Sequence, residues 1–168
     1  MDSIRKLIDI VSDRLITENK VIGHGASRKV SIHPKNNNYV IKTINLNTNA
    51  DSIENKRIHN GIEYLVYQKM KSEGHHLLPF MAPVIDVADD CEWIIMKRYN
   101  ALSKTDSLPE QVRSQFNELF DIVPQNFGTH NDDYYLIDYG GEKNALYMGL
   151  PVEYNKIIKL IKKYKKDK

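Results

Sequence analysis

Apolar positions along this chain follow two periods. Short apolar runs at Val21-Ile22, around Val30, at Tyr39-Val40-Ile41 and at Trp93-Ile94-Ile95-Met96 are bounded by Gly, Asn or charged residues, which predicts strands. Helical spacing governs other stretches. Ile4, Leu7, Ile8, Val11 and Leu15 share one face of a helix expected over 2–15, and Ile62, Leu65, Val66, Lys69 and Met70 mark a helix over 50–72. A shorter helix is expected over 108–120, with Ser107 as N-cap, Pro109 in the first turn and Glu110 near the positive end. A last one is expected over 152–168, with Ile157, Leu160, Ile161 and Tyr164 on one side.

Candidate chemistry enters with the polar residues that interrupt this pattern. Between the first two strands lies Gly23-His24-Gly25-Ala26-Ser27-Arg28-Lys29-Val30. Glycines at such a turn let backbone amides approach phosphate oxygens in conformations that a Cβ forbids. The next strand ends Val40-Ile41-Lys42, and a lysine in such a run is costly to bury unless an anion or carboxylate meets it. Two acids of the following helix could do so: Glu63 near its middle, and Glu54 in its first turn and much nearer Lys42 along the chain. Further on come Asp121-Ile122-Val123-Pro124-Gln125-Asn126 and then Asp138-Tyr139-Gly140.

Taken in order, these motifs resemble those of the protein-kinase-like superfamily over about residues 20–141. Gly23, Gly25 and Val30 match G-x-G-x-x-G-x-V with Arg28 at the third glycine; Tyr39-Val40-Ile41-Lys42 resembles V-A-I-K; Asp121 and Asn126 match the catalytic loop; Asp138-Tyr139-Gly140 resembles D-F-G. The resemblance implies an α+β bilobal fold, with an antiparallel-sheet N-lobe and hinge over 20–99 and a much reduced helical C-lobe over 100–168. It also implies a cleft for ATP and Mg2+ between the lobes. Amides around Gly23, Gly25, Ala26 and Ser27 would cover the phosphates, and Lys42, held by Glu63, would neutralise them. Asn126 and Asp138 would hold Mg2+, and Asp121 would orient the attacking hydroxyl and take its proton. Met96 would stand at the gatekeeper position, with the backbone of Lys97 to Tyr99 meeting the adenine edge.

The departures narrow the expectation. Leu119-Phe120 replace His-Arg before Asp121, which removes the basic partner that a phosphorylated activation loop needs. Val123 replaces a lysine that touches the transferring phosphate in many Ser/Thr kinases, and no Ala-Pro-Glu segment follows Gly141. The resemblance thus implies a catalytic cleft with almost no peptide-docking lobe, acting on an unidentified protein or on itself, with Ser27 a candidate self-phosphorylation position. A second copy of the chain could supply the missing surface. A pseudokinase-like module that uses the cleft to engage a partner is the alternative, and a small-molecule kinase a third.

Composition changes this picture little. The chain has 168 residues, 41% hydrophobic and 27% charged, with a formal net charge of +2, so no polyanionic partner such as nucleic acid is expected. That length suits one domain. A single cysteine, Cys91, allows no internal disulfide and suits a reducing cytoplasm. The Asn, Lys and Ile bias suits an AT-rich genome, bacterial or phage, and the expected location is the cytoplasm of a bacterium or of an infected cell. Met1 to Lys6 lead into no signal-peptide core, and no run is long enough to span a membrane. Lysines crowd the last helix at 156, 159, 162, 163, 165, 166 and 168, which fits an amphipathic helix docked on the C-lobe with a solvated end. No histidine has zinc-ligand spacing with Cys or carboxylates along the sequence.

Overall fold

The computed structural model describes residues 20–49 and 51–167, so the helix expected over 2–15 lies outside the described residues. Strands β1 (Val21–His24), β2 (Arg28–Ile32), β3 (Tyr39–Ile44), β4 (Val84–Val87) and β5 (Trp93–Lys97) form one antiparallel sheet in the order β1-β2-β3-β5-β4. The β2–β3 turn forms because the Asn36 side chain accepts the Asn38 N–H at 3.0 Å while the His33 N–H reaches the Tyr39 carbonyl at 3.0 Å.

Helix α1 (Ile53–Glu73) joins β3 to β4 and lies across β3, β4 and β5. It starts at Ser52, whose hydroxyl accepts the Asn55 N–H, and stops at Gly74, which takes a left-handed φ of 63°. Ile58, Ile62, Leu65, Val66 and Met70 make its buried face, against Val40, Val84, Val87, Ile94 and Met96 of the sheet. The helix was expected from 50; the Ser52 cap sets its start later.

A second sheet, β6 (Asn100–Ala101), β7 (Phe127–His130) and β8 (Asp133–Leu136), stands beyond the hinge in the order β6-β7-β8. Asn131 and Asp132 make the β7–β8 turn with φ of 49° and 65°, the left-handed pair that a two-residue hairpin demands and that Asn and Asp tolerate. Helix α2 (Glu110–Gln115) is shorter than the 108–120 expected, and its N-cap is Pro109 rather than Ser107. The reason is tertiary. Past Gln115 the chain turns so that Phe116 and Leu119 bury, and the Phe116 ring meets Phe127 edge-on at 5.2 Å.

Helices α3 (Glu142–Tyr147) and α4 (Tyr154–Lys166) both pack on α1. For α4 this corrects the expectation that it docks on the C-lobe. Gly61 of α1 explains the crossing, since a Cβ there would come within 2.4 Å of Ile157 and 2.8 Å of the Cys91 sulfur. Ile157 and Ile161 are wholly buried as a result. Lys165 then reaches Asp86 at 3.3 Å and Asp89 at 2.9 Å, around β4 of the first sheet. Among the described residues no helix is long and apolar enough to cross a membrane.

Candidate active site

Lys42 and Glu63 meet behind the cleft. β3 carries Lys42 between Ile41 and Thr43, and the side chain is only 6% exposed. Its ammonium donates to Glu63 Oε1 at 2.9 Å, to Oε2 at 3.0 Å and to the Ile137 carbonyl at 2.6 Å, which engages all three of its N–H groups. Glu63 is fully buried in α1 and also accepts the Tyr139 N–H at 3.1 Å, so the Asp-Tyr-Gly segment is tied to the same carboxylate. Glu54, the other acid weighed from sequence, is exposed in the first turn of α1.

Arg28 completes the cluster and was not foreseen as a site residue. Its Nη1 donates to Glu63 Oε2 at 2.6 Å and to Asn60 Oδ1 at 3.3 Å, while its Nη2 donates to Asp138 Oδ1. Burial alone would lower the guanidinium's proton affinity, but Asp138 and Glu63 overcome this and raise it. Asp138 shows the converse. Burial works to raise its pKa, and the Arg28 and Lys42 charges outweigh that and hold the carboxyl well below the usual carboxylate range. The available signal was strand alternation, which puts residue 28 on the same face as Val30, toward the cleft.

Asp121 and Asn126 face this cluster from the second lobe. Asp121 takes a left-handed φ of 59°, a conformation costly for most residues and tolerated by Asp and Asn. Its carbonyl accepts the Val123 N–H at 2.9 Å and the Asn126 side-chain amide at 2.9 Å, so the loop folds back on itself and brings the two side chains to one rim. Gly140 is needed nearby, because a Cβ would lie 2.4 Å from the His59 carbonyl of α1. The His59 Nδ1 bonds to the Gly140 carbonyl at 3.1 Å, and burial followed by the Arg28 charge lowers this imidazole's pKa.

The Gly-rich turn is held from behind. Asn45 donates its side-chain amide to the Gly25 carbonyl at 2.9 Å and its backbone N–H to the Ser27 carbonyl at 2.8 Å. Thr48 reaches the Ala26 carbonyl at 2.5 Å, and Lys56 reaches the Asn45 carbonyl at 2.7 Å. None of these supports was marked in the sequence. At the hinge, the Lys97 N–H bonds to the Pro83 carbonyl at 2.9 Å and the Arg98 N–H to the Asn38 carbonyl at 2.8 Å. Those two amides are therefore committed within the chain, and a ligand edge can meet only the other groups of this segment.

One cleft of about 670 Å3 brings the predicted residues together: Gly23, Gly25, Ala26, Ser27, Val30, Lys42, Met96, Lys97, Tyr99, Asp121, Asn126 and Asp138 all line it, with Glu63 behind. Tyr99 forms part of the floor, stacked on Tyr135 at 4.1 Å between centroids. The donor set suits a hard cation: a carboxylate at Asp138 and, at Asn126, an amide oxygen whose partner nitrogen is committed to Asp121. Elsewhere the fold assembles His75, His76 and Glu118, a cluster that spacing along the sequence could not show. The ring nitrogens lie 3.6 and 3.7 Å from the Glu118 carboxylate. His75 accepts the Leu77 N–H on Nδ1, which leaves only Nε2 of that ring to face Glu118.

The mixed α+β architecture, with an antiparallel five-stranded sheet, one long helix across it and few helices beyond, is consistent with a protein-kinase-like fold. No protein-family model and no curated protein matches the chain. Among solved structures it is similar to the Rio2 kinase–ADP/Mg2+–phosphoaspartate complex from Chaetomium thermophilum, with a TM-score of 0.47 and 13% identity. That likeness covers 95% of this chain and 60% of the kinase chain, and it assigns no role to any residue.

Proposed function

We propose that this chain is an ATP-dependent phosphotransferase of the protein-kinase-like class, acting on a hydroxyl of a protein or of the chain itself. The buried Lys42–Glu63 pair carries this reading, because it stands directly behind Asp138 and below the Gly-rich turn. An ion pair so placed is poor as a stabilising device but useful as an anion anchor. Lys42 exchanges its bond to the Ile137 carbonyl for a phosphate oxygen. Amides of Gly23 to Ser27 cover the outer phosphates, and Met96 and Tyr99 pack the base. Asp121 holds the acceptor hydroxyl and takes its proton. Asn126 and Asp138 are the residues that would hold Mg2+, which when bound screens the charge on the transferring phosphoryl group.

The test is transfer of the γ-phosphoryl group from labelled ATP, to the chain itself and to a mixture of candidate proteins, by wild type and Asp121→Asn. Asparagine keeps the left-handed backbone that position 121 needs, so a loss of about a hundredfold or more reports lost proton abstraction. Equal label with both variants contradicts the assignment. The second reading, a partner-binding pseudokinase-like module, is favoured by one observation: Arg28 already occupies Asp138. It predicts nucleotide binding or partner capture without transfer.

A further inference from the structure

Arg28 stands where an all-glycine turn would leave open space, and the structure gives that guanidinium a specific place. Position 28 opens β2, and its side chain is held by Asn60, Glu63 and Asp138 together. The turn that carries it is itself tied down through Asn45 and Thr48. Arginine keeps its charge at any working pH and presents a rigid fork of donors. A permanent cation is thus built into the seat of the Asp-aromatic-Gly carboxylate.

Protein kinases fill that neighbourhood with two divalent ions shared between this Asp and the catalytic-loop Asn. Here Oδ1 of Asp138 is taken by Arg28. What remains is Asp138 Oδ2 and the Asn126 amide oxygen, enough to place one hard cation with water and phosphate oxygens filling the rest of its shell. A second divalent ion on the same carboxylate would stand beside the guanidinium, and Glu63 is already shared by Arg28 and Lys42.

We propose that Arg28 replaces one of the two divalent ions of this class of site, so that the nucleotide-bound chain takes up a single divalent ion on Asp138 and Asn126. The proposal rests on the nucleotide-binding reading above and adds to it a metal count set by one side chain.

Equilibrium dialysis of the full chain against Mn2+ and a non-hydrolysable ATP analogue, each counted on the protein, tests it, with electron paramagnetic resonance showing whether bound Mn2+ ions lie close together. Wild type is expected to retain one analogue and one Mn2+, and Arg28→Gly one analogue and two Mn2+ with a spin-coupled spectrum. Arg28→Lys keeps a cation and is expected to stay at one. If Arg28→Gly does not melt cooperatively, Arg28→Gln, which keeps reach and hydrogen bonding without charge, takes its place. Two Mn2+ on wild type, or an unchanged count when the charge is removed, overturns the proposal while leaving nucleotide binding intact. Analogue that is not retained by wild type at all overturns both the proposal and the reading beneath it, and the same dialysis distinguishes that case.

Discussion

The Arg28 guanidinium and the Asp138 carboxylate close on each other in the lining of the cleft although 110 residues separate them along the chain. With Lys42 and Glu63 they form a four-member cluster of two cations and two anions, balanced before any ligand arrives. Arg28 and Glu63 are each held by more than one partner, so Asp138 is tied through Arg28 to the Lys42–Glu63 pair.

Removing one charge from that unit unbalances it. Glu63→Gln leaves Arg28 and Lys42 with one carboxylate between them in a buried setting, and breaking a buried pair this way costs roughly 3–5 kcal/mol. Urea unfolding of wild type and variant should show that loss at an unchanged m-value. A loss under about 0.5 kcal/mol, the size of an exposed pair, would mean that the cluster is solvated in solution.

Gly61 has a second consequence. An Ala there gains about 1 kcal/mol of helix propensity, yet its Cβ meets Ile157 and the Cys91 sulfur at 2.4 and 2.8 Å. Overpacking of this kind costs about 1–3 kcal/mol, and Ile157 lies at a helix crossing with little room to move. Gly61→Ala is therefore expected to lower Tm by a few degrees, and a raised Tm would show that α4 does not rest on α1.

His59 predicts a pH dependence. Its folded-state pKa is lowered from the ordinary 6.5, so below that value the unfolded chain binds the proton more readily than the folded one. Stability from this residue is present above about pH 6.5 and is lost as pH falls toward the lowered folded value. Tm measured from pH 7.5 to 5 should fall less steeply for His59→Asn than for wild type, and parallel curves would refute the lowered proton affinity of this half-buried imidazole.

Cys91 should be silent. Burial first, and the nearby Asp90 next, push its thiol up to about 12, and the side chain is inaccessible. A thiol-specific disulfide reagent at pH 8 is expected to label it only on unfolding. Rapid labelling of the native protein would show α4 lifting away from α1.

Much of this arrangement could be read from residue order. Strands β1, β2, β3 and β5 and the long helix follow from periodicity, and the choice of Glu63 over Glu54 follows from its distance after Lys42 in the motif order of the family that the chain resembles; β4 and the second sheet were not anticipated. What escaped that reading depends on contacts between distant segments. The length of α2 is decided by Phe116 turning in toward Phe127, and the resting place of α4 by a missing Cβ at Gly61. The His75–His76–Glu118 cluster joins residues from two separate turns. Arg28 was visible as a departure from the glycine pattern, but its meaning needed Asp138, Asn60 and Glu63 in place around it.

The central claim is that this cleft binds a nucleoside triphosphate through the Lys42–Asp138 cluster. Thermal unfolding with increasing ATP, with and without Mg2+, on wild type and Asp138→Asn tests it most directly. ATP at a hundred times its Kd should add about 2.7 kcal/mol, roughly 5–10 °C in Tm for a chain of this size, and the Mg2+-dependent part of the shift should shrink or vanish in Asp138→Asn. Wild type that melts at the same temperature at every ATP concentration, with or without the divalent ion, would contradict the account.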